Sequence, residues 1–326
     1  PLDEYFAAMN HWFSTRYGYT IEPEWVTLGA GIVYALGTSV RAFTEEGDAM
    51  MVMQPVYYPF SEVIKNDGRR LVNCQLRYEN NHYSIDFEKM EKMIREEGVK
   101  ALIFCNPHNP VGRVWTREEL ERVAQVCLKY NVIWMVDEMH CDFIFPGHTF
   151  TSCMNLDEKY REILALYSSP GKTFNVAGLQ PANIIIPNEE LRKKYQWANT
   201  QAAYSQGSLM GQLAVKVCYT KGAEWVDELV QYIYENVKYM SKFVKENFPK
   251  AKMVEPEGTY LLWLDFREYG LSPEALNAKI LKDARIWFNE GSMFGPEGAG
   301  FMRINIASPR DMIVQAMDRL GEVFGA

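Results

Sequence analysis

From residue 27 to about residue 200, short apolar runs alternate with segments of helical period, and this alternation narrows the possible folds more than any other feature of the chain. Ala49–Met53, Ala101–Cys105, Ile133–Val136 and Ile163–Tyr167 are continuous and apolar, as strands covered on both faces must be. Between them lie helical segments. Ile32–Phe43 closes at Glu46-Gly47-Asp48. Asp86–Glu97 is followed by Gly98, a C-cap signal. Thr116–Tyr130 opens with Thr116 and Glu119, the spacing of a capping box. Strands alternating with helices predict an α/β fold on a mostly parallel sheet.

Past residue 187 the pattern turns helical: Asn188–Asn199, Ser205–Tyr219 and Ala223–Asn247 follow one another. The last is long enough to bridge two lobes. From Met253 the text changes to a strand (Thr259–Phe266), a helix (Ser272–Ala284) and a short strand (Met302–Ile306), which predicts a smaller α+β lobe. A chain of 326 residues with 48% hydrophobic content can divide its core in this way. The expected division is a large domain over 20–247 and a small domain made of 1–19 with 248–326. The chain opens on Pro1 inside an amphipathic pattern (Leu2, Tyr5, Phe6, Met9, Trp12, Phe13), so a preceding segment is expected to be missing.

Composition excludes several classes. A formal net charge of −8 repels a phosphate backbone, so a nucleic-acid partner is not expected, and any anion site must be local. The six cysteines form no C-x-x-C pair and sit mostly in apolar runs, as free thiols of a reducing cytoplasm do. The five histidines show no metal spacing. No apolar stretch reaches the roughly 18 residues of a membrane span, and no secretory leader is read at the start.

The polar clusters that end the predicted strands carry the chemistry, because ligands of open α/β sheets bind at the carboxyl ends of strands. Lys172 follows a strand and a Ser168-Ser169-Pro170-Gly171 turn. Alone it reads as a surface lysine; buried in a crevice, a lysine loses its charge readily and becomes a nucleophile able to form a Schiff base. Asp137, in Val136-Asp137-Glu138-Met139-His140, is either a structural cap or the partner of a protonated pyridine nitrogen. Asn106-Pro107-His108-Asn109-Pro110-Val111-Gly112 forces a rigid turn that can aim an amide. Gln54-Pro55-Val56-Tyr57-Tyr58 offers an aromatic for the core or for stacking on a flat ring. Leu28-Gly29-Ala30-Gly31-Ile32 opens a helix with small residues, where backbone N–H groups can cradle a phosphate.

Together these clusters resemble the fold-type I pyridoxal-5'-phosphate (PLP) enzymes of the aspartate-aminotransferase superfamily, and within it the MalY/PatB group of cystathionine β-lyases. The likeness covers nearly the whole chain. It rests on Lys172-Thr173-Phe174-Asn175 with Ala177-Gly178-Leu179, Asn109-Pro110-x-Gly112, Asp137-Glu138-x-His140 and Arg303-Ile304-Asn305. Phe145-Pro146-Gly147-His148 and Gly258-Thr259-Tyr260-Leu261 add to it. The resemblance implies a large, mostly parallel seven-stranded-type sheet domain and a smaller C-terminal α+β domain.

It also implies roles. Lys172 matches the Schiff-base lysine that moves the substrate Cα proton, and Asp137 the partner of the pyridine nitrogen. Asn109 matches the donor to the ring 3'-oxygen, and Tyr57 the ring stacked on the cofactor. Gly31 and Ile32 match phosphate-binding amides, and Ser169 a phosphate-binding hydroxyl. His140 stands where aminotransferases place a tyrosine that contacts the 3'-oxygen. Arg303, inside the apolar run Phe301–Ile306, matches the arginine that grips the substrate α-carboxylate. This chain departs from the pattern at Gly171, often Ser or Thr in relatives, and at Gln180, where many place an arginine near the phosphate. In relatives a segment preceding this chain's start lends a tyrosine to the neighbouring subunit's cofactor.

The implied activity is carbon–sulfur β-elimination from cystathionine or another cysteine S-conjugate, a small amino-acid substrate, in a homodimer. Transamination by the same site is the alternative reaction. A catalytically weakened regulatory binding protein is the alternative class.

Overall fold

The four apolar runs form the middle of one sheet. The computed structural model describes residues 3–204 and 207–325, so Leu2 and Ser205, expected in helices, lie outside the described residues. The strands are β1 (Val26–Ala30), β2 (Ala49–Val52), β3 (Arg70–Asn73), β4 (Arg77–Glu79), β5 (His82–Ser84), β6 (Val99–Cys105), β7 (Ile133–Asp137), β8 (Leu164–Ser168), β9 (Pro181–Ile185), β10 (Lys252–Met253), β11 (Leu261–Asp265), β12 (Asn289–Glu290) and β13 (Phe301–Asn305). The α-helices are α1 (Asp3–Tyr17), α2 (Ile32–Phe43), α3 (Pro59–Asn66), α4 (Phe87–Glu97), α5 (Arg117–Lys129), α6 (Glu189–Gln201), α7 (Leu209–Lys221), α8 (Ala223–Asn247), α9 (Pro273–Lys282) and α10 (Arg310–Phe324). None of the described helices is long and apolar enough to cross a membrane.

The large sheet has seven strands in the order β1-β9-β8-β7-β6-β2-β3. From β8 to β3 every pairing is parallel, while β9 runs antiparallel to both of its neighbours. β2 and β8 are buried at every residue, as their unbroken apolar text requires. Helix ends follow local chemistry. Asp86 accepts from Lys89 N at the start of α4, and Gly98 ends it in the left-handed region at φ 64°. Thr116 and Glu119 make the reciprocal bonds of a capping box at α5.

The smaller lobe carries a four-stranded sheet in the order β10-β11-β13-β12. β11 reads as an alternating strand, yet all five of its residues are buried. Its apolar residues divide between two cores, Leu262 and Leu264 entering that of the small lobe and Trp263 that of the large one, and the buried Asp265 is paired with Arg267. α8 joins the lobes: Val226 enters the core of the large sheet, and Ile233, Val237, Met240 and Val244 enter that of the small one.

α1 differs from expectation. The division expected from sequence puts it in the smaller lobe, but it buries Tyr5, Met9, Trp12 and Phe13 in the core of the large one. The reason is aromatic surface: Trp12 stacks on Tyr219 of α7 at 5.1 Å, and Phe13 on Tyr19 at 5.0 Å. Tyr5 donates to the buried Asn183 of β9.

Candidate active site

Parallel pairing sets Cys105 opposite Asp137, and Asp137 opposite Tyr167. β6, β7 and β8 therefore end on one line, and the loops that leave them emerge side by side. Because β9 runs the other way, its first residue Pro181 lies at the same edge, opposite Ala30 at the end of β1. The strand sequence reverses direction between β2 and β6, the kind of point where open α/β sheets bind ligands. A cavity of about 450 Å³ opens there. Gly31, Ile32, Tyr57, Asn109, Asp137, His140, Ser169, Lys172 and Arg303 all line it, every residue that the sequence singled out.

Lys172 is half-buried on the cavity wall rather than sealed in the core. Its loop is tied down next door: Thr173 Oγ1 donates to the buried Asp142 Oδ2 at 2.6 Å. Asp137 is buried, and its Oδ1 accepts from Met139 N at 2.9 Å. Burial pushes its carboxyl up to about 6, against the pull of that N–H and of the Lys172 charge. Glu138, its neighbour, points elsewhere: it accepts from Ser152 Oγ at 2.7 Å and Cys153 N at 2.8 Å.

Arg303 and Asn109 come from different lobes and meet. Arg303 Nη1 donates to Asn109 Oδ1 at 3.0 Å, which leaves the Asn109 amide nitrogen as its free donor. Nε and Nη2 donate to Asn289 Oδ1 at 3.2 and 2.8 Å, and the guanidinium lies over the Phe294 ring at 4.6 Å. Asn289 was not singled out from sequence. It faces Arg303 only because β12 and β13 pair in that register, and a two-residue strand carries no periodicity to announce it.

His140 is buried, with its ring 5.4 Å from Tyr260 and its Nδ1 without a partner. Burial, then the Lys172 and Arg303 charges, lower it to about 3, so it is a neutral imidazole across the physiological range. Tyr57 is half-buried, and burial raises its phenol above the usual range. Ser169 donates to Pro181 O at 2.6 Å and accepts from Gly171 N at 2.9 Å, so its one proton is committed within the protein. Gly31 begins α2 at φ +86°, a conformation that only glycine takes at low cost, with open space where a Cβ would stand. Gln180 is exposed at the cavity edge. Tyr58, Tyr260 and Met293 also line the cavity.

The comparisons with known proteins agree with this geometry. Residues 2–320 match the model of the aminotransferase class I and II family. The chain belongs to that family. Among class I and II members it is 38% identical over 294 residues to cystathionine beta-lyase PatB of Bacillus subtilis, covering 90% of this chain and 76% of that protein. It is 30% identical over 312 residues to protein MalY of Escherichia coli, covering 95% of this chain and 79% of the relative. The crystal structure of cystalysin from Treponema denticola, which contains a PLP cofactor, matches it with a TM-score of 0.97 at 36% identity, over 99% of this chain and 82% of that one. The fold is that of the fold-type I PLP-dependent transferases, and the likeness to the MalY/PatB group that the motifs implied holds along the chain.

Proposed function

We propose that this chain is a PLP-dependent carbon–sulfur lyase that cleaves cystathionine or a related cysteine S-conjugate. The balance is thioether plus water to thiol, pyruvate and ammonia. One observation carries the reading: an amine (Lys172), a buried carboxylate (Asp137), an amide (Asn109), a phenol (Tyr57) and a guanidinium (Arg303) reach a single cavity from five separate segments. The name of PatB, a cystathionine beta-lyase, supports the choice of reaction.

The residues present fit the cofactor. The N–H groups of Ile32, Val33 and Tyr34 precede the first intrahelical bond of α2, from Ala35 N to Gly31 O, and suit a phosphate. The space in front of Gly31 leaves room for it. The orphaned Nδ1 of His140 and the buried carboxylate of Asp137 are polar groups that a heteroaromatic ring would satisfy. When bound, PLP supplies a conjugated ring that draws electron density from the substrate Cα.

The chain's own groups then divide the work. Lys172 Nζ would hold the cofactor and, as a free amine, would take the substrate Cα proton. Asp137 would keep the ring nitrogen protonated, and that ion pair would hold in its charged form a carboxyl that burial, set against the Met139 N–H and the Lys172 charge, otherwise raises to about 6. Asn109 would donate its amide N–H to the ring oxygen, and Tyr57 would pack against the ring. Arg303 would grip the substrate α-carboxylate and so orient the substrate at Cα. Ser169 would join the phosphate site if its hydroxyl turned from Pro181.

Two further points belong to this proposal. Leu209, Met210, Leu213 and Val217 are exposed on α7, and such a patch supports a homodimer. All six cysteines are free thiols, which supports a reducing cytoplasm.

The test is to incubate the chain with PLP, record its absorbance, add L-cystathionine and assay pyruvate. A visible absorbance band that Lys172→Ala abolishes, with pyruvate formed in the absence of any keto acid, is the expected result. Strict dependence on a keto acid would turn the reading to transamination. No band in the wild-type chain would overturn it.

A further inference from the structure

Behind the cavity, and not part of its wall, a buried ion pair binds the Asn109 turn to the segment that leads into the small sheet. Glu257 Oε2 accepts from Arg113 Nε at 2.9 Å and from Val114 N at 2.7 Å. The two side chains are 12% and 5% exposed, so the pair is largely removed from water. Arg113 uses its whole fork: Nη2 donates to Glu119 Oε2 at 2.9 Å, and Nη1 to Tyr83 O.

The backbone repeats the connection in the other direction. Glu257 N and Gly258 N both donate to Gly112 O, at 2.9 and 3.1 Å. Phe145 N donates to Glu257 O at 3.0 Å, and Thr259 N to Phe143 O at 2.8 Å. Residues 257–259 are thus fastened to two loops at once, the one after β6 that carries Asn109 and the one after β7 that carries His140. The Asn109 turn is closed at its base, where His108 N donates to Arg113 O and Gly112 N to His108 O, each at 2.8 Å. Gly112, at φ +74°, has Pro256 Cα 3.2 Å from where a Cβ would stand, so the two segments touch without room for a side chain. From this junction the chain runs directly through Tyr260 into β11, the strand paired with the one that carries Arg303.

We infer that Glu257 is a positioning residue: through Arg113 and Val114 it holds the Asn109 turn in register with the small lobe, and so sets the contact between Asn109 and Arg303. It touches neither the cavity nor the reacting atoms. The inference rests on the proposed roles of Asn109 and Arg303. An amide that donates to an ionised oxygen stabilises the ionised form, so a displaced Asn109 makes the bound chromophore more basic.

The full chain carrying Glu257→Gln tests this, since Gln keeps the shape and an acceptor while removing the charge, and Arg113 remains paired with Glu119. With PLP bound, the pH midpoint of the cofactor absorbance is expected to rise, as it does in Asn109→Ala, and the double variant is expected to rise no further than Asn109→Ala alone. kcat/KM should fall roughly 10–100-fold, the scale of a small misplacement. A purely structural role would lower the melting temperature and leave the midpoint in place; that result overturns the inference, as do additive shifts in the double variant. A crystal structure of Glu257→Gln decides the matter without cofactor or turnover: an unmoved Asn109–Arg303 contact sinks the positional claim. A wild-type chain that cleaves no thioether removes only the lyase reading.

Discussion

Arg303 does not wait for a ligand as a bare charge. Its three nitrogens already touch two amide oxygens, and the residue lines the cavity. Arg303→Lys replaces this planar fork with a point charge that cannot reach both amides and a carboxylate together. Hydrogen bonds to charged groups are worth about 1.5–3 kcal/mol, so steady-state kinetics should show kcat/KM for the amino-acid substrate lowered ~10–100-fold, with both KM and kcat affected. Glu138 supplies a different test at the same scale. Burial raises its carboxyl from 4.5 to about 7. A folded value above the unfolded one means that the protonated form suits the fold, so its contribution is full below pH ~4.5 and is lost as pH climbs through ~7. Glu138→Gln, which keeps an acceptor for Cys153 N, should therefore raise the melting temperature more at pH 8 than at pH 5. Equal shifts at both values would mean that the side chain is not titrating in this range.

Among the elements, α1 has an influence beyond its own packing. Its Tyr17 donates to Asp142, its Arg16 Nε lies 3.5 Å from the same carboxylate, and Asp142 also takes the Thr173 hydroxyl beside Lys172. Thr173→Val removes one donor from a buried acid, and chemical denaturation should show a loss of about 1–3 kcal/mol, with PLP released more easily because the Lys172 loop is less firmly held. At the surface, Thr116→Ala should cost about 1 kcal/mol through the lost cap of α5 and leave activity alone. Which elements could be read in advance has a physical explanation. β2, β6, β7 and β8 are flat apolar runs buried on both faces, and α2, α4, α5 and α8 carry caps or an unbroken period, so each announces itself locally. β9 does not: it starts on Pro181 and contains Asn183, a polar residue that becomes tolerable only when Tyr5 and Ser168 arrive from elsewhere to bond it. β1 reads as the approach to a helix because Gly29 interrupts it, and its antiparallel pairing with β9 is not written in either segment.

On the scale of the whole molecule, the site was legible where function needs a residue at the end of a strand. Lys172 and Asn109 follow, and Asp137 ends, a strand that its own apolar run announces, so a sequence that reveals those strands reveals that part of the cluster. Asn289, Tyr260 and Glu257 were not assigned, because their places depend on how the small lobe docks, and nothing near them in sequence encodes that. The proposed dimer belongs to this scale as well. Leu213→Glu on the exposed face of α7 would place a charge in a buried contact, and sedimentation should show monomers where the wild-type chain forms dimers; a variant that still dimerises would locate the interface elsewhere. α8 remains. One continuous helix of 25 residues contributes side chains to both cores, at Val226 to one and from Ile233 to Val244 to the other. There is thus no point along it at which the chain can be cut to yield a self-sufficient half. The two lobes cannot be exchanged with those of another protein as modules, and each must change in step with the other, bound by a single shared beam.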